Sequence, residues 1–243
     1  MAITLTLSPE LKELEDKLVE LANAQHESDA YQCLFSVPLT LPRIRAHHLQ
    51  KAIWVLNRRD CWAYAQAKAP FGVKQLIWQH EEEELGGDVA RGLEDHYALN
   101  IRQGEAVGLA VRDFADAQPT DTLFTCMSAW TSLAKDSPWL KSLASCAALE
   151  LTNSEEILRG KSASRRMAEK VRDELGIKIG KQQSYQEHIV ADVEHANILM
   201  SVAREHADTE LARTQILEGV EESWAIDRVF RGHLGALMLS IPE

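Results

Sequence analysis

The sequence predicts an all-α fold of seven to eight helices in a single domain over residues 1–243. Two observations favour helices: apolar residues recur at a spacing of three to four along most of the chain, and Gly (12) and Pro (7) are scarce for 243 residues. A turn-rich β fold would need more of both residue types. An apolar share of 45% gives a chain of this length enough material for a sizeable core.

Gly, Pro or polar turns separate the predicted helices. The expected ranges are 9–24, 42–67, 73–115 with a break at 86–88, 123–133, 138–152, 164–175, 185–200 and 209–237. Ser8 suits the N-cap of the first helix and Pro9 suits its first position, so the start of this helix is well defined. Residues 28–42 contain two prolines, and we expect an irregular connection there.

The acidic balance of the chain argues against several classes of partner. With a formal net charge of −11, the chain is expected to bind neither nucleic acid nor an anionic membrane. No apolar run reaches the roughly 18 residues of a membrane span, and the first residues lack the pattern of a signal peptide. The four cysteines form no C-x-x-C pair and predict reduced thiols in a cytoplasmic protein: Cys33, Cys61, Cys126 and Cys146.

An uninterrupted helical stretch from Tyr185 to Met200 places two histidines and an aspartate on one stripe. His188, Asp192 and His195 are spaced i, i+4 and i+7, which puts them within about 60° of one another around a helix. Two imidazoles and one carboxylate form a ligand set suited to iron, manganese or zinc. An isolated motif of this kind is equally compatible with a polar helix face, so the choice depends on matching carboxylates elsewhere.

Further candidate ligands occur on other predicted helices. A run of four glutamates at 81–84 follows an apolar stripe, so one or two of them must turn inward, and Glu81 and Glu84 share a helix face. His96 opens the segment after the glycine break. Glu150 follows a run of small and apolar residues, where a carboxylate is rarely buried without a cation or hydrogen-bond partners. The alternative places Glu150 at the solvent-exposed end of its helix.

The order of these residues resembles that of the haem-oxygenase-like diiron oxidases. Ferritin-like bundles use Glu-x-x-His pairs, which this chain lacks. In the haem-oxygenase-like family, which shares a superfamily with the thiaminase-like and pyrroloquinoline-quinone-synthase-like proteins, a Glu precedes a Gly-rich break and a His follows it. A second Glu and a His-x-x-x-Asp-x-x-His motif come next. The resemblance covers about residues 42–235 and implies six metal ligands, with Glu81 as the alternative for the first: Glu84, His96, Glu150, His188, Asp192 and His195.

The resemblance also implies a fold and an activity. It implies one haem-oxygenase-like domain of about seven helices, two irons that cycle between Fe2+ and Fe3+, O2 as co-substrate, an external electron donor and a homodimer. The substrates of this family are small and often derived from amino acids. We expect oxidative C–C cleavage or rearrangement that gives an alkene, a nitrile or a shortened product in specialised-metabolite biosynthesis, with N-oxygenation of an amine or amino acid as the alternative.

Three residues of the second predicted helix are candidates for substrate contacts. Arg58 and Arg59 could hold a carboxylate, although exposed or ion-paired arginines are more common. Trp54 could line a pocket, although core packing is more common for tryptophan. Two other functions stay open: a metal-free hydrolase or binding protein like the thiaminase-like relatives, and a non-enzymatic protein whose acidic helices bind a partner. The last of these predicts that Glu150 is exposed.

Overall fold

The computed structural model describes residues 7–88 and 91–242, except for the side chains of residues 190–195. Within this part of the chain there are α-helices, one turn of 3-10 helix at Ile179–Lys181 and no strand, which confirms the predicted all-α class. The described residues form eleven α-helices, so the predicted number of about seven is wrong. They are α1 (Pro9–Glu27), α2 (Asp29–Ser36), α3 (Leu41–Lys68), α4 (Phe71–Gly86), α5 (His96–Glu105), α6 (Val111–Asp116), α7 (Asp121–Asp136), α8 (Trp139–Leu151), α9 (Ala163–Leu175), α10 (Gln183–His206) and α11 (Glu210–Ser240).

Two short helices explain much of the difference in number. α2 lies inside residues 28–42, where the sequence predicts an irregular connection, and it is held in place by the burial of Tyr31 and Leu34. The predicted helix that ends near residue 115 is divided into α5 and α6. Gly108 lies between them with a φ of 85°, a left-handed conformation that cannot continue an α-helix.

Side-chain caps confirm several predicted helix starts. Ser8 Oγ accepts a hydrogen bond from the amide of Leu11 at 3.2 Å, and Pro9 is the first residue of α1. Such a bond satisfies an amide that the helix leaves without a partner. Caps of the same kind begin α3, α7, α9 and α11, and they are formed by Thr40, Thr120, Ser162 and Thr209.

α8 lies in the interior of the bundle, where it packs against α3, α7, α10 and α11. Small residues allow α11 to come close: a Cβ on Gly219 would lie 2.4 Å from the carbonyl oxygen of Lys141 and 3.1 Å from the Cβ of Ala144. Every residue from Ser142 to Leu151 is buried. This close packing carries Glu150, near the end of α8, into the interior.

The structure tests the predictions of free thiols and of no membrane-spanning helix. All four cysteines are free thiols, as the sequence predicts. Burial raises the pKa of the Cys146 thiol to about 12, so this thiol is protonated and weakly nucleophilic at neutral pH. The described helices include none that combines the length and apolar composition of a membrane span.

Candidate metal centre

A cavity of about 70 Å³ lies between α3, α8, α9 and α10. One water needs roughly 10–15 Å³ of such space, so the cavity has room for several waters or a small ligand. One face of α3 runs along it and contributes His47, Lys51, Trp54, Val55, Arg58 and Arg59. Because twelve residues of α-helix rise about 18 Å, His47 and Arg59 mark the two ends of this face of α3. Predicted ligands from four different helices line it, namely Glu84, His96, Glu150 and His188.

Glu84 lies in the last turn of α4 and uses both carboxylate oxygens. Oε1 lies 2.9 Å from Nδ1 of His96, and Oε2 lies 2.9 Å from Nη1 of Arg59. Burial alone would raise the pKa of Glu84, but the Arg59 guanidinium and the His96 imidazole outweigh this and hold that pKa well below its usual range. Glu84 is therefore an ionised carboxylate in the interior, which is the form that binds a metal.

The break between α4 and α5 brings Glu84 and His96 together. Gly87 has a φ of 72°, and a Cβ there would lie 2.3 Å from the carbonyl oxygen of Leu93. The chain can make this close turn only with glycine. Asp95 then caps α5 through a 2.9 Å hydrogen bond from the amide of Ala98, so His96 occupies the first position of the helix. The predicted sequence order of Glu, Gly-rich break and His thus has a structural cause.

Glu150 is buried, with 8% of its surface exposed. Its Oε1 lies 3.9 Å from Nη2 of Arg58 and 3.9 Å from Nε2 of His80. The alternative that placed Glu150 at a solvent-exposed helix end is wrong, because the small residues before it draw the whole last turn of α8 inside. The expectation of an exposed Glu150, which belongs to a non-enzymatic protein with acidic docking helices, fails for the same reason.

His188 lies on α10, which is continuous through the predicted stretch from Tyr185 to Met200. The His188 ring packs edge-on against the ring of His96, with centroids 4.8 Å apart and an interplanar angle of 87°. Asp192 and His195, the other two predicted ligands on this helix, lie outside the described residues.

His80 is a residue of this region that the sequence did not single out as a site residue. Its side chain is fully buried, its ring centroid lies 4.5 Å from that of Trp62, and Nδ1 lies 2.9 Å from Oε1 of Glu81. Its spacing of i, i+4 from Glu84 was the available sequence signal. Glu81, the alternative ligand, pairs with Arg59 at 2.7 Å, whereas Glu84 is the one of the two that lines the described cavity.

The three predicted substrate-contact residues all line the cavity. Arg58 donates a 2.5 Å hydrogen bond to the carbonyl oxygen of Cys146 and lies near Glu150. Arg59 contacts Glu81 and Glu84. Both arginines are thus engaged by acceptors of the protein itself at the end of the cavity where the predicted ligands lie.

The donor set fits iron by its chemistry. Carboxylate oxygens and imidazole nitrogens are the ligands of non-haem iron, and Glu84, Glu150, His96 and His188 supply both kinds around one cavity. Among the described side chains, no group of three or more His, Cys, Asp or Glu is close enough together to hold an ion. Both oxygens of Glu84 contact side chains of the protein, Arg59 and His96.

Comparison with known proteins identifies a family and a fold. A sequence profile described as "iron-containing redox enzyme" matches residues 45–228. The structure is similar to that of a CADD-like protein of unknown function from Nostoc punctiforme PCC 73102, with a TM-score of 0.71 and 18% identity over 94% of this chain and 98% of that chain. A search of curated proteins found no match.

Two other solved structures are also similar. A domain of unknown function with a heme oxygenase-like fold from Shewanella denitrificans OS217 gives a TM-score of 0.72 and 12% identity over 92% of this chain and 91% of that chain. A TenA homologue from Pseudomonas syringae pv. tomato strain DC3000 gives a TM-score of 0.67 and 12% identity over 96% of this chain and 94% of that chain. At these identities the similarity concerns the fold alone, and it confirms the haem-oxygenase-like fold.

Proposed function

Because the chain belongs to the family of iron-containing redox enzymes, we propose that it is a non-haem oxidase or oxygenase that holds two irons and uses O2. The observation that carries the proposal is the convergence of two buried carboxylates and two imidazoles from four helices on one cavity: Glu84, Glu150, His96 and His188. Burying such groups is costly unless a cation or a hydrogen-bond network compensates them. A metal ion bound in the cavity would be such a cation.

In this proposal, six residues would hold the two irons, and two of them are residues of α10 whose side chains lie outside the described part of the structure: Glu84, His96, Glu150, His188, Asp192 and His195. Iron bound there would supply the one-electron chemistry that activates O2. The protein itself keeps both glutamate carboxylates buried, and the positive groups beside Glu84 hold the pKa of that carboxyl well below its usual range. Arg59 and Arg58 balance the negative charge of Glu84 and Glu150, and the buried small residues of α8 exclude water from one side of the site.

The walls of the cavity favour a small substrate with an apolar part. Leu34, Phe35, Val55, Leu149 and Met167 contribute apolar surface, and the volume of about 70 Å³ limits the size of the molecule that enters without rearrangement. We propose a substrate derived from an amino acid, oxidative C–C cleavage or rearrangement as the reaction, and a role in specialised-metabolite biosynthesis. An external electron donor would return the irons to the reduced state. N-oxygenation of the same class of substrate is the alternative.

A metal-free hydrolase or binding protein is the second candidate, because Glu84 is already satisfied by Arg59 and His96 without an ion. The cysteines speak against a thiol-based form of this candidate. None of them is among the described residues that line the cavity, and burial raises the pKa of the Cys126 and Cys146 thiols to about 11 and about 12. These two thiols are therefore poor nucleophiles at neutral pH.

Oxygen consumption tests the proposal directly. Protein loaded anaerobically with Fe(II) would be mixed with O2 and single amino acids, while an electrode follows O2 and mass spectrometry follows the products. We expect at least one amino acid or derivative to accelerate O2 uptake and to yield an oxidised product, and His188→Ala to abolish both effects. The matched control is His206→Ala, on the same helix but near its other end. Equal O2 uptake by wild type and His188→Ala, with no organic product, would contradict the proposal.

A further inference from the structure

The outer face of α4 carries large apolar side chains. The inner face of this helix is buried and includes the predicted ligand Glu84. On the outer face, three side chains are 77%, 66% and 62% exposed, namely Phe71, Trp78 and Leu85. An amphipathic helix normally presents charged and polar residues on that side. Exposed apolar side chains that share one helix face indicate an interaction surface.

These three side chains form a single row along the helix, the α4 stripe. They are spaced exactly seven residues apart, and seven residues are close to two turns, so the row drifts by only about 20° at each step. The row extends over about 21 Å of helix axis. A repeat of seven is the spacing with which two helices pack along a common seam. The α4 stripe therefore has the pattern of a surface that binds another helix.

The size of the α4 stripe can be compared with that of a stable interface. At the usual size of such side chains, the three expose on the order of 400 Å² per copy. A standard interface buries about 800 Å² of each partner. Polar residues of the same outer face are also exposed and can supply more of this area, namely Gln75, Gln79 and Glu82. One face of α4 thus approaches the area that a stable pair of proteins needs.

The α4 stripe is symmetric about Trp78. Phe71 and Leu85 each lie seven residues from it, and Lys74 and Glu82 each lie four residues from it on opposite sides. A second α4 that runs antiparallel and is centred on Trp78 would place its Leu85 on Phe71 and its Glu82 opposite Lys74. Such a self-complementary surface is what a two-fold interface requires. A parallel pair would instead place like charges together, which is unfavourable.

Both charged residues can take part in this contact. Glu82 is exposed. Lys74 Nζ donates a hydrogen bond to the carbonyl oxygen of Ala67 at 3.1 Å, in an exposed setting. Because an ammonium group has three donors, a contact with a carboxylate is compatible with this bond.

We infer that the α4 stripe binds a second copy of this chain, with the two helices antiparallel and the two-fold axis beside Trp78. The inference does not depend on the proposed reaction. It assigns a surface to the homodimer that the family resemblance implies. The same helix supplies Glu84 from its opposite face, so the partner would support from outside the helix that carries the first predicted ligand.

Sedimentation equilibrium of the full-length protein tests the interface. We expect wild type to sediment at twice the mass of one chain. Leu85→Glu should raise the dissociation constant of the dimer by at least about thirtyfold, because it replaces an apolar contact with a charge. The matched control is Leu211→Glu, the same change at a residue of α11 that is 68% exposed, and it should change the constant less than about threefold.

Charge reversal tests the antiparallel arrangement. Lys74→Glu and Glu82→Lys should each weaken the dimer about tenfold, because each places like charges opposite one another. The double variant restores opposite charges and should return the dissociation constant to within about threefold of that of wild type. Residues 74 and 82 of one chain are separated by about 12 Å of helix rise, so this rescue would report a contact between two copies.

Three results would overturn the inference. A wild type that stays monomeric would leave the α4 stripe to a different protein. A dimer that Leu85→Glu does not weaken would use another face of the molecule. A dimer that Leu85→Glu weakens but the single charge reversals do not would lack the antiparallel arrangement. Circular dichroism verifies that each variant is folded.

Discussion

Arg59 and Glu84 form a buried ion pair beside the cavity, with Nη1 2.9 Å from Oε2 and side chains that are only 14% and 4% exposed. The same guanidinium nitrogen lies 2.7 Å from Oε1 of Glu81. One cation therefore stabilises two carboxylates of α4 that would otherwise repel each other. An iron ion at Glu84 would supply positive charge at the same place, so Arg59 and the metal have overlapping electrostatic effects.

Arg59→Gln should destabilise the metal-free protein by about 3–5 kcal/mol, because it leaves buried carboxylates without their cation. Urea unfolding in EDTA measures this change. Added Fe(II) or Zn(II) should raise the free energy of unfolding more in the variant than in wild type. Arg102→Gln is the matched control, since it breaks an ion pair with Glu94 in which both side chains are nearly half exposed, and it should have little effect. An equally small loss of unfolding free energy in both variants would mean that Arg59 does not stabilise the buried carboxylates.

His80→Phe should keep the packing on Trp62 while removing the contacts to Glu81 and Glu150. Groups that orient metal ligands typically contribute 10–100-fold to metal affinity. We therefore expect the variant to bind Fe(II) about tenfold more weakly or worse, with an unchanged number of sites. Competition with a chromogenic chelator measures the affinity. An unchanged affinity would limit His80 to a packing role.

His26 makes the stability of the protein depend on pH. Burial lowers the pKa of His26 from 6.5 to about 4, although Nε2 lies 2.7 Å from the carbonyl oxygen of Thr152. The unfolded chain takes up a proton near pH 6.5 and the folded chain does not, so the free energy of unfolding falls as the pH drops from about 6.5 to about 4. One histidine contributes at most about 1.4 kcal/mol per pH unit in this window.

His26→Gln should remove this part of the pH dependence. Urea unfolding at pH 7.5 and pH 5 would compare the two proteins. The free energy of unfolding of wild type should decrease more between these pH values than that of the variant, by about 1–2 kcal/mol. The same decrease in both proteins would show that His26 does not resist protonation in the folded state.

Gly219→Ala should be strongly destabilising, because its Cβ would lie 2.4 Å from the carbonyl oxygen of Lys141 on α8. α8 and α11 would have to separate, at a cost of about 1–3 kcal/mol, and Glu150 would shift with α8. Gly232→Ala is the control on the same helix, since its Cβ would meet Ala30 at an ordinary 3.7 Å. Alanine favours helix there and should stabilise by up to about 1 kcal/mol. Thermal unfolding measures both changes, and similar melting temperatures for the two variants would contradict the close approach at Gly219.

Local sequence patterns predict much of this fold and part of the site. The spacing of apolar residues predicts α10, and the glycines after Glu84 predict the break in the helix before His96. Glu150 was recognisable because a carboxylate directly after six small or apolar residues is unusual on an exposed helix. These features depend on residues that are close together in the chain, which is why pattern and structure agree.

Features that depend on distant segments escaped prediction. The contacts of Arg59 reach across 22 residues to Glu81, and those of Arg58 reach across 88 residues to Cys146. No local pattern distinguishes such arginines from ones that face a substrate. α2 was missed for a similar reason, because its eight residues form a helix through the burial of Tyr31 and Leu34 by the rest of the bundle.

Anaerobic Fe(II) titration tests the central claim most directly. Wild type should bind two Fe(II) per chain, Glu81→Gln should keep both, and Glu84→Gln and His188→Ala should each bind fewer, with folding checked by circular dichroism. Loss of iron in Glu81→Gln but not in Glu84→Gln would move the first ligand from Glu84 to Glu81. A wild-type protein that binds no Fe(II), or that binds it equally in His188→Ala, would contradict the diiron centre.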